Sequence, residues 1–427
     1  MKLAIKQNVL MDALDKGTIG ALTEEAQADT SNMNLIVQSI RLTASEESII
    51  IESGTNLIAI KHTIPVSKDN GVSVSEGGCV FVPAKELYNF VKARSKDAVI
   101  NMSFSALATP ELISNIDEDD GSLAIKKIGS LKLTSKNSDK SGGSKWELDC
   151  YDPNQKDPVN FSEKGKKCFD IPPHVLEDSV KTIKFAASDK DHEHILTSIS
   201  IQSHGNDVYF CTTDSKRCAL YKVDGITNVE NDAPILIPVS LLDMIAKIAD
   251  SENTLSISYN EDIDRVFIDQ KNLEVRLVCV VKEKLQKFPS VKMLLDKEYS
   301  PLVNIPKALL QQMLISASLV NKSSALFTFK ADKGVVVVKA VSEDSKYKPI
   351  SDQYNIEDNA NFKTDLSKVW GVKHLLDVTK VIKADTIQLM IPDNQKSLKI
   401  IDEDNKNFTY FAMTITNPKY DQYIDND

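Results

Sequence analysis

The stretch IPVSLLDMIAKIAD, residues 237–250, shows the local pattern from which this chain is built. A β-branched residue precedes a proline, and an amphipathic run follows the proline. Proline at the first helical position loses no hydrogen bond there, and it favours an extended conformation in the residue before it. The pattern therefore predicts a strand that ends directly before a helix. It opens three other amphipathic runs, at Val82-Pro83, Ile171-Pro172 and Ile305-Pro306.

The segments between these runs alternate polar and apolar residues or contain short β-branched clusters, which is typical of strands. Because the strands come in blocks between helices, they indicate an α+β fold with antiparallel sheets. The order helix, strands, helix, strands recurs three times. Its first copy uses a helix near Asn8–Lys16 that lacks the proline, and its last helix begins at Thr364.

This repeat predicts three domains, with boundaries 1–165, 166–297 and 298–427. The first contains a long hairpin insertion at about 115–145, whose polar tip spans Ser135–Lys145. An acidic tail, Asn417–Asp427, ends the third domain, and its composition predicts disorder.

The composition and the distribution of apolar residues argue against a disordered protein and a membrane-spanning protein. The chain has 427 residues, 42% of them hydrophobic and 26% charged, which is typical of a soluble protein with more than one domain. The N-terminus has no signal peptide, and no segment is apolar for long enough to span a membrane, so we expect a cytoplasmic protein without membrane contact. The six cysteines lack CxxC spacing, which predicts reduced and mostly buried thiols.

The net charge of −10 is unevenly distributed along the chain. Six candidate helical windows together carry +6 and the remaining residues carry −16; the windows are 6–16, 83–96, 172–190, 238–250, 306–322 and 364–383. Basic helices beside an acidic remainder predict a local field that attracts a polyanion. Lysine also favours helices by its propensity alone, and that alternative stays open.

The sequence does not assemble an active site. It has no phosphate-binding glycine loop and no HExxH zinc motif. His192 and His194 would share one face of a strand, but the sequence places no third metal ligand beside them. The acidic run Asp117–Asp120 is typical of a solvated turn. We therefore predict a non-catalytic protein without cofactor or metal.

Three short segments together resemble one family. The run CTTDSKRCAL, residues 211–220, is similar to a threonine-aspartate-glycine-histidine-arginine-leucine-alanine turn in the second domain of the bacterial DNA polymerase III beta subunit, the sliding clamp. Phe288-Pro289 resembles that family's phenylalanine-proline turn, and Tyr410–Met413 resembles its apolar C-terminal strand. The proline-started helices recur at the family's positions, so the resemblance spans the whole chain.

The resemblance implies a head-to-tail homodimeric ring of three alike domains per chain, with two helices per domain lining a hole that encloses duplex DNA and antiparallel sheets outside. Contacts to phosphates carry no sequence information, so such a ring can slide. The DNA-binding residues that we expect are Lys85, Lys92, Arg94, Lys181, Lys184, Lys190, His194, Lys307, Lys322, Lys368, Lys373 and Lys380.

The resemblance also implies a hydrophobic groove between domains two and three that binds linear peptides of the replicative DNA polymerase and the clamp loader. Ser215, Lys216 and Cys218 replace the family's glycine, histidine and leucine, and Thr414 replaces a proline, so the preferred peptide motif stays open. The matching groove positions are Leu196, Thr213, Arg217, Cys218, Pro289, Met293, Leu294, Tyr410, Phe411, Ala412 and Met413.

By position in the family, the subunit interface joins Trp146 and Leu148, on an edge strand of one chain, to Leu319 and Val320 of the other. The leading interpretation is a processivity clamp in the cytoplasm of a bacterium or of a phage-infected host. The first alternative is a diverged clamp-like protein that binds clamp partners as an inhibitor or scaffold without encircling DNA. The second is an enzyme with an unrecognised site.

Overall fold

The computed structural model describes residues 1–22, 34–55, 57–113, 125–136, 143–155, 161–190, 195–224, 226, 235–278, 288–331, 333–343, 347–356 and 365–424. Their contacts divide the chain into two compact units. The first unit comprises Met1–Pro173 with Ile248–Cys279, and the second comprises His174–Lys247 with Val280–Asp427. The middle of the chain therefore contributes to both units. Helices and antiparallel sheets in each unit confirm the predicted α+β class.

One antiparallel sheet organises the first unit. Its strands alternate buried and exposed residues, so one face of each strand packs into the core. In pairing order the strands are β10 (Lys166–Ile171), β15 (Leu255–Asn260), β16 (Arg265–Gln270), β17 (Leu273–Val278), β4 (Ile58–Pro65), β3 (Ser48–Gly54), β2 (Ser39–Ala44), β6 (Gly78–Pro83), β9 (Gly143–Tyr151), β8 (Lys126–Lys136), β7 (Val99–Leu112), β1 (Lys2–Lys6) and β5 (Val72–Glu76).

The helices of the first unit are α1 (Gln7–Gly17), α2 (Asn34–Val37) and α3 (Ala84–Lys92). Helix α1 buries Leu10, Ala13, Leu14 and Gly17. These residues are three or four positions apart, so they form one apolar stripe that packs on β3 and β4. Leu87 and Val91 of α3 join the same core.

Two antiparallel sheets organise the second unit. The strands of the larger sheet, in pairing order, are β14 (Ile235–Pro238), β11 (Ser198–His204), β12 (Asp207–Thr213), β13 (Arg217–Val223), β25 (Phe408–Met413), β24 (Ser397–Asp402), β23 (Thr386–Ile391) and β18 (Ser300–Pro306). Those of the smaller sheet are β21 (Ile350–Asn355), β20 (Val335–Ala340), β19 (Ala325–Lys330) and β22 (Leu366–Trp370). The remaining helices are α4 (Pro173–Ile183), α5 (Val239–Ile248), α6 (Val291–Leu295), α7 (Lys307–Ser318), α8 (Val372–Thr379) and α9 (Asp421–Ile424).

The four proline patterns each join a strand to a helix, as predicted, but the helix begins one residue after the proline of the pattern, and of the four only the helix that begins at Pro173 has a proline in its first position. Pro83 and Pro306 are the residues before the first helical residue, with ψ angles of 119° and 130°. Proline fixes only φ, and its φ also suits an extended residue. The proline therefore ends the strand and caps the helix.

The predicted helix at 364–383 was wrong in its first half. Residues Leu366–Trp370 form β22, which pairs with β19, and the helix begins only at Val372. Pairing with the buried strand β19 outweighs the helical spacing of the apolar residues, because it completes the hydrogen bonds along that strand. Gly371 separates the two elements with an extended backbone.

The prediction of a disordered tail was also wrong for its described residues. Pro418–Tyr420 form a 3-10 turn that leads into α9, and the side chain of Tyr420 is fully buried. The predicted hairpin insertion is present as β8 and β9 on either side of the tip Ser135–Lys145, paired out to Lys136 and Gly143. Most of its tip, and the acidic run Asp117–Asp120, lie outside the described residues.

Candidate peptide groove and nucleic-acid interface

The segment 211–220 forms the tip of the hairpin between β12 and β13. Asp214 closes the turn, since its Oδ1 accepts hydrogen bonds from the backbone N–H groups of Lys216 (3.0 Å) and Arg217 (3.1 Å). Ser215 lies at φ 73°, a left-handed conformation that glycine adopts most easily. The glycine of the resembling family therefore fits this position, and here the Asp214 hydrogen bonds stabilise the turn without it.

The pairing of β13 with β25 distributes the predicted groove residues over two faces of the sheet. Arg217 lies opposite Ala412, and Cys218 lies opposite Phe411. Successive side chains of a strand point to opposite faces, and directly paired residues share a face. One face therefore carries Arg217, Ala219, Tyr410 and Ala412, and the other carries Thr213, Cys218, Phe411 and Met413. The predicted set does not form one surface.

The face with Cys218 and Phe411 is apolar. Both side chains are buried in a cluster with Cys211, Phe288 and Val291. Leu294 packs against this cluster while only partly buried. Met413 is 41% exposed and Met293 is 76% exposed. We refer to this apolar cluster, together with the exposed side chains of Met293 on α6 and Met413 on β25, as the apolar groove.

Other predicted groove residues contribute through backbone groups or internal hydrogen bonds. The carbonyl of Pro289 accepts a hydrogen bond from Nε2 of Gln202 at 3.0 Å, and the carbonyl of Leu196 accepts one from the N–H of Ser188 at 2.9 Å. Oγ1 of Thr213 donates to the carbonyl of Arg217 at 2.6 Å. The sequence analysis missed Val291 and Tyr299, which pack in or against the cluster. Their signal was the apolar spacing after Phe288-Pro289.

On the opposite face, Arg217 is an internal clamp. Its guanidinium donates to Asp214 Oδ2 (2.9 Å), to Asp377 Oδ2 (2.9 Å) and to the carbonyl of Phe185 (2.7 Å). Burial opposes ionisation of Asp377, but hydrogen bonds from Arg217 and Lys380 outweigh it and lower the pKa of that carboxyl. We refer to Arg217 with these partners as the Arg217 clamp. It joins the hairpin to helix α8.

A cavity of about 460 Å³ lies beside the Arg217 clamp. Burial lowers the pKa of His374 in its wall, with partial compensation by Asp214, so this imidazole favours the neutral form. The lysines that line the cavity are Lys184, Lys190, Lys216 and Lys373. All but Lys216 are predicted DNA-binding residues. The carboxylates of Asp189, Asp214 and Asp377 line the cavity as well, so its lining is of mixed charge with a surplus of cations.

Comparison with known proteins gives two matching family models. The model described as the N-terminal domain of the DNA polymerase III beta subunit matches residues 1–126, and the model of its central domain matches residues 170–279. Together they cover more than half of the chain. The chain belongs to the DNA polymerase III beta subunit family.

Relatives and solved structures agree with this membership. The beta sliding clamp of Mycoplasma capricolum is 21% identical over 403 residues, covering 94% of this chain and 95% of the relative. That of Staphylococcus aureus is 23% identical over 361 residues, covering 83% and 85%. The DNA polymerase III beta subunits of Pseudomonas aeruginosa and Thermotoga maritima both superimpose with a TM-score of 0.74, at 16% and 17% identity. These alignments cover 97% of this chain and 100% and 99% of those structures, so the fold is that of a sliding clamp.

Membership gives this beta clamp its general function. The family is the non-catalytic processivity subunit of DNA polymerase III, a DNA sliding clamp. Among the described residues, no group of three or more His, Cys, Asp or Glu side chains could hold a metal ion, and His192 and His194 lie outside them. No helix in the described part of the chain is long and apolar enough to cross a membrane.

The predicted DNA-binding side chains of this beta clamp differ in accessibility. Lys184 pairs with Asp243 at 2.9 Å, and Arg94 stacks on Phe90 with 4.6 Å between its guanidinium carbon and the ring centroid. Nζ of Lys307 donates to the carbonyls of Ile382 and Lys383, both at 3.3 Å. His194 lies outside the described residues. The exposed ones are Lys85, Lys92, Lys181, Lys190, Lys322, Lys373 and Lys380.

The prediction that the helices themselves carry the positive charge was wrong. Within their observed bounds, α1, α3, α4, α5, α7 and α8 together contain equal numbers of basic and acidic residues. Much of the positive charge that was counted in the predicted helical windows belongs to residues just beyond the helix ends, at Arg94, Lys184, Lys322 and Lys380. Cations there are stabilised by the helix dipole and the last carbonyl groups. Lys368 is on strand β22, opposite Phe327, and not on a helix.

The predicted subunit-interface residues differ in accessibility within their own units. Trp146 on β9 is 41% exposed and packs on Phe90 with ring centroids 6.1 Å apart, whereas Leu148 is buried. Strand β9 pairs with β6 only at Tyr151, so its other edge is open along most of its length within the described residues. In the second unit, Leu319 is 71% exposed after α7, and Val320 is half-buried.

Proposed function

We propose that this chain is a homodimeric ring that encircles duplex DNA and holds the replicative DNA polymerase and the clamp loader by linear peptides in the apolar groove. The observation that supports the peptide site best is the apolar cluster around Cys218 and Phe411, with exposed Met293 and Met413 at its border. An apolar depression with polar groups at its rim suits a leucine or phenylalanine anchor. Methionine side chains can adapt to different anchors.

The same proposal assigns the other surfaces. The exposed lysines, which include Lys190 and Lys373 in the wall of the cavity, would contact phosphates of DNA irrespective of sequence. Pairing of Trp146 and the open edge of β9 with Leu319 of a second copy would close the ring and cover an edge that otherwise invites aggregation. We propose three domains with the boundaries 1–165, 166–297 and 298–427, and a cytoplasmic location beside the replication machinery.

The peptide site is tested by fluorescence anisotropy. The probe is a labelled short peptide that ends in leucine and phenylalanine, and the control is the same peptide with alanine at both positions. We expect saturable binding of the first and at least about tenfold weaker binding of the second, since two buried anchors are lost. Equal binding of both peptides would refute the groove assignment.

The ring is tested by retention on circular DNA. A clamp loaded on a nicked plasmid should stay bound at high salt and dissociate when the plasmid is linearised, because enclosure does not depend on phosphate contacts. Release from circular and linear DNA at the same salt concentration would contradict enclosure.

A second candidate function has one observation in its favour. The observed helices carry no net charge, which suits a clamp-like scaffold or inhibitor that binds clamp partners without encircling DNA. That protein would bind the leucine-phenylalanine peptide and fail the retention experiment. The two experiments together therefore separate the candidates.

A further inference from the structure

The C-terminal residues of this chain continue directly from the groove strand β25 to a buried anchor. The N–H of Met413 donates to the carbonyl of Lys216 at 2.8 Å, and that of Thr414 donates to the carbonyl of Lys396 at 3.1 Å. The N–H of Ile415 then donates to the carbonyl of Val369 at 2.8 Å. Three consecutive residues are thus fixed to three different segments. We refer to Thr414–Ile424 as the C-terminal strap.

Tyr420 is the anchor of the strap. Its side chain is fully buried with Leu326 and Val369, and Val341, Ile415 and Tyr423 pack around them. The Tyr420 hydroxyl donates to the carbonyl of Ser324 at 2.8 Å and accepts from the N–H of Val341 at 3.3 Å. A buried aromatic ring with a satisfied hydroxyl is a strong local attachment.

Two further contacts hold the strap on either side of this anchor. Nδ2 of Asn417 donates to Oγ of Ser324 at 3.2 Å, and its Oδ1 accepts from the N–H of Lys419 at 3.2 Å. The ammonium of Lys339 lies 4.1 Å from the ring centroid of Tyr423. Without such contacts a terminal segment of this length stays unfolded, because it buries too little apolar surface.

We propose that Tyr420 is a positioning residue for the apolar groove. It does not line the groove; it fixes the strap and, through residues 414–415, the backbone of Met413 at the groove border. The inference rests on the proposed peptide function. When the strap is released, the N–H of Ile415 loses its bond to Val369 and the end of β25 can fray, so Met413 keeps only its pairing with Lys216 and Ser397 and a peptide must order that border as it binds. Ordering a side chain and its backbone costs affinity without changing any contact in the complex.

The test compares peptide affinities of four variants with that of the full-length wild type, using the labelled leucine-phenylalanine peptide. Tyr420→Ala should weaken binding by about three- to tenfold, the cost of ordering one or two residues. Tyr420→Phe keeps the ring in the core and should stay within about twofold of wild type. Val336→Ala, in the buried strand β20, should lower the melting temperature but leave the affinity unchanged, since it truncates the same sheet away from the strap.

A milder variant covers the case in which Tyr420→Ala does not fold. Asn417→Ala removes two hydrogen bonds of the strap without emptying the core, and it should weaken binding by about twofold. Hydrogen exchange at Met413–Ile415 should accelerate in Tyr420→Ala and Asn417→Ala and not in Val336→Ala. Wild-type affinity in both strap variants would overturn the role of Tyr420 alone. Absence of peptide binding by the wild type would overturn the groove, and this assignment with it.

Discussion

Among the described residues, the strand pairing that spans the largest separation in sequence forms one junction in each unit, and the two junctions can be compared residue by residue. In the second unit β13 pairs with β25 from Arg217↔Ala412 to Tyr221↔Phe408. In the first unit β17 pairs with β4 from Leu273↔His62 to Leu277↔Ile58. Both pairings are antiparallel and of equal length. Their backbones therefore cannot explain why only one of them borders an apolar groove.

The difference lies in which face carries the arginine. At β13–β25 Arg217 points to the face of Phe185 and α8, and Cys218 and Phe411 point to the other face. At β17–β4 the apolar face turns toward α1, since His62 lines a cavity with α1 residues. Arg276 lies on the face away from α1, packed over the rings of Phe161 (5.4 Å) and Phe267 (4.8 Å). When the alternation of polar and apolar residues along a strand shifts by one residue, the polar and apolar faces of the strand exchange places. This exchange decides on which face of each junction an apolar groove can form.

The largest effect that we expect comes from the two arginines. Arg217→Ala should lower the free energy of unfolding of the second unit by about 3 kcal/mol, because the largely buried carboxylates of Asp214 and Asp377 both lose their arginine and keep only backbone N–H donors and Lys380. Arg276→Ala should cost the first unit only about 1 to 2 kcal/mol, because its partners Asp269 and Glu274 are more exposed and can hydrate. Urea unfolding of both variants measures this. Equal losses would mean that the two arginines are energetically equivalent.

Acid should affect the first junction through His62. Burial, with a smaller contribution from Lys16, lowers the pKa of His62 to about 4 from the ordinary 6.5, and Asp12 compensates in part. The unfolded chain therefore binds the proton first, so this contribution to stability is complete above pH 6.5 and is lost as the pH falls toward 4. The loss should reach about 3 kcal/mol. Unfolding measured between pH 7 and 4 should show this slope in the wild type and a flatter one in His62→Gln. Identical slopes would contradict a buried neutral imidazole.

Substitution of an exposed apolar residue should weaken peptide binding at the second junction by about 1 to 2 kcal/mol more than at the first. Met293→Ala removes an exposed side chain at the groove border, so we expect weaker binding of the leucine-phenylalanine peptide with stability almost unchanged. Leu57→Ala is the matched control, because Leu57 is 44% exposed beside the first junction. Anisotropy titrations compare the two variants with the wild type. Equal weakening by both substitutions would place the peptide elsewhere.

The sequence analysis predicted the α+β class and the strand-to-helix junctions at the four prolines, because alternation and helix spacing act over a few residues. It failed where the structure of a segment depends on residues that are distant in the sequence. Leu366–Trp370 has apolar residues at helical spacing, but pairing with β19 makes it a strand. Tyr420 stands in a short segment with few apolar residues, too short to predict a packed helix, and its pocket is supplied by the distant Leu326 and Val369. The groove residues were predicted as one set because alternation fixes faces only after the pairing register is known.

The smallest effect should come from Lys61, and it bears on what the charged surface of the first junction is for. Nζ of Lys61 lies 2.7 Å from Oε1 of Glu274, with both side chains partly exposed, so water and salt screen the pair. We expect a coupling free energy below about 1 kcal/mol in a double-mutant cycle of Lys61→Ala and Glu274→Ala. A larger coupling would mean that this ion pair stabilises the junction. A small one leaves it the role of keeping this face polar, because hydrated charges oppose the burial that an apolar anchor needs. On that account the proposed peptide would bind at the second junction because Arg217 lies on the α8 side of the sheet and leaves the face of Cys218 and Phe411 apolar.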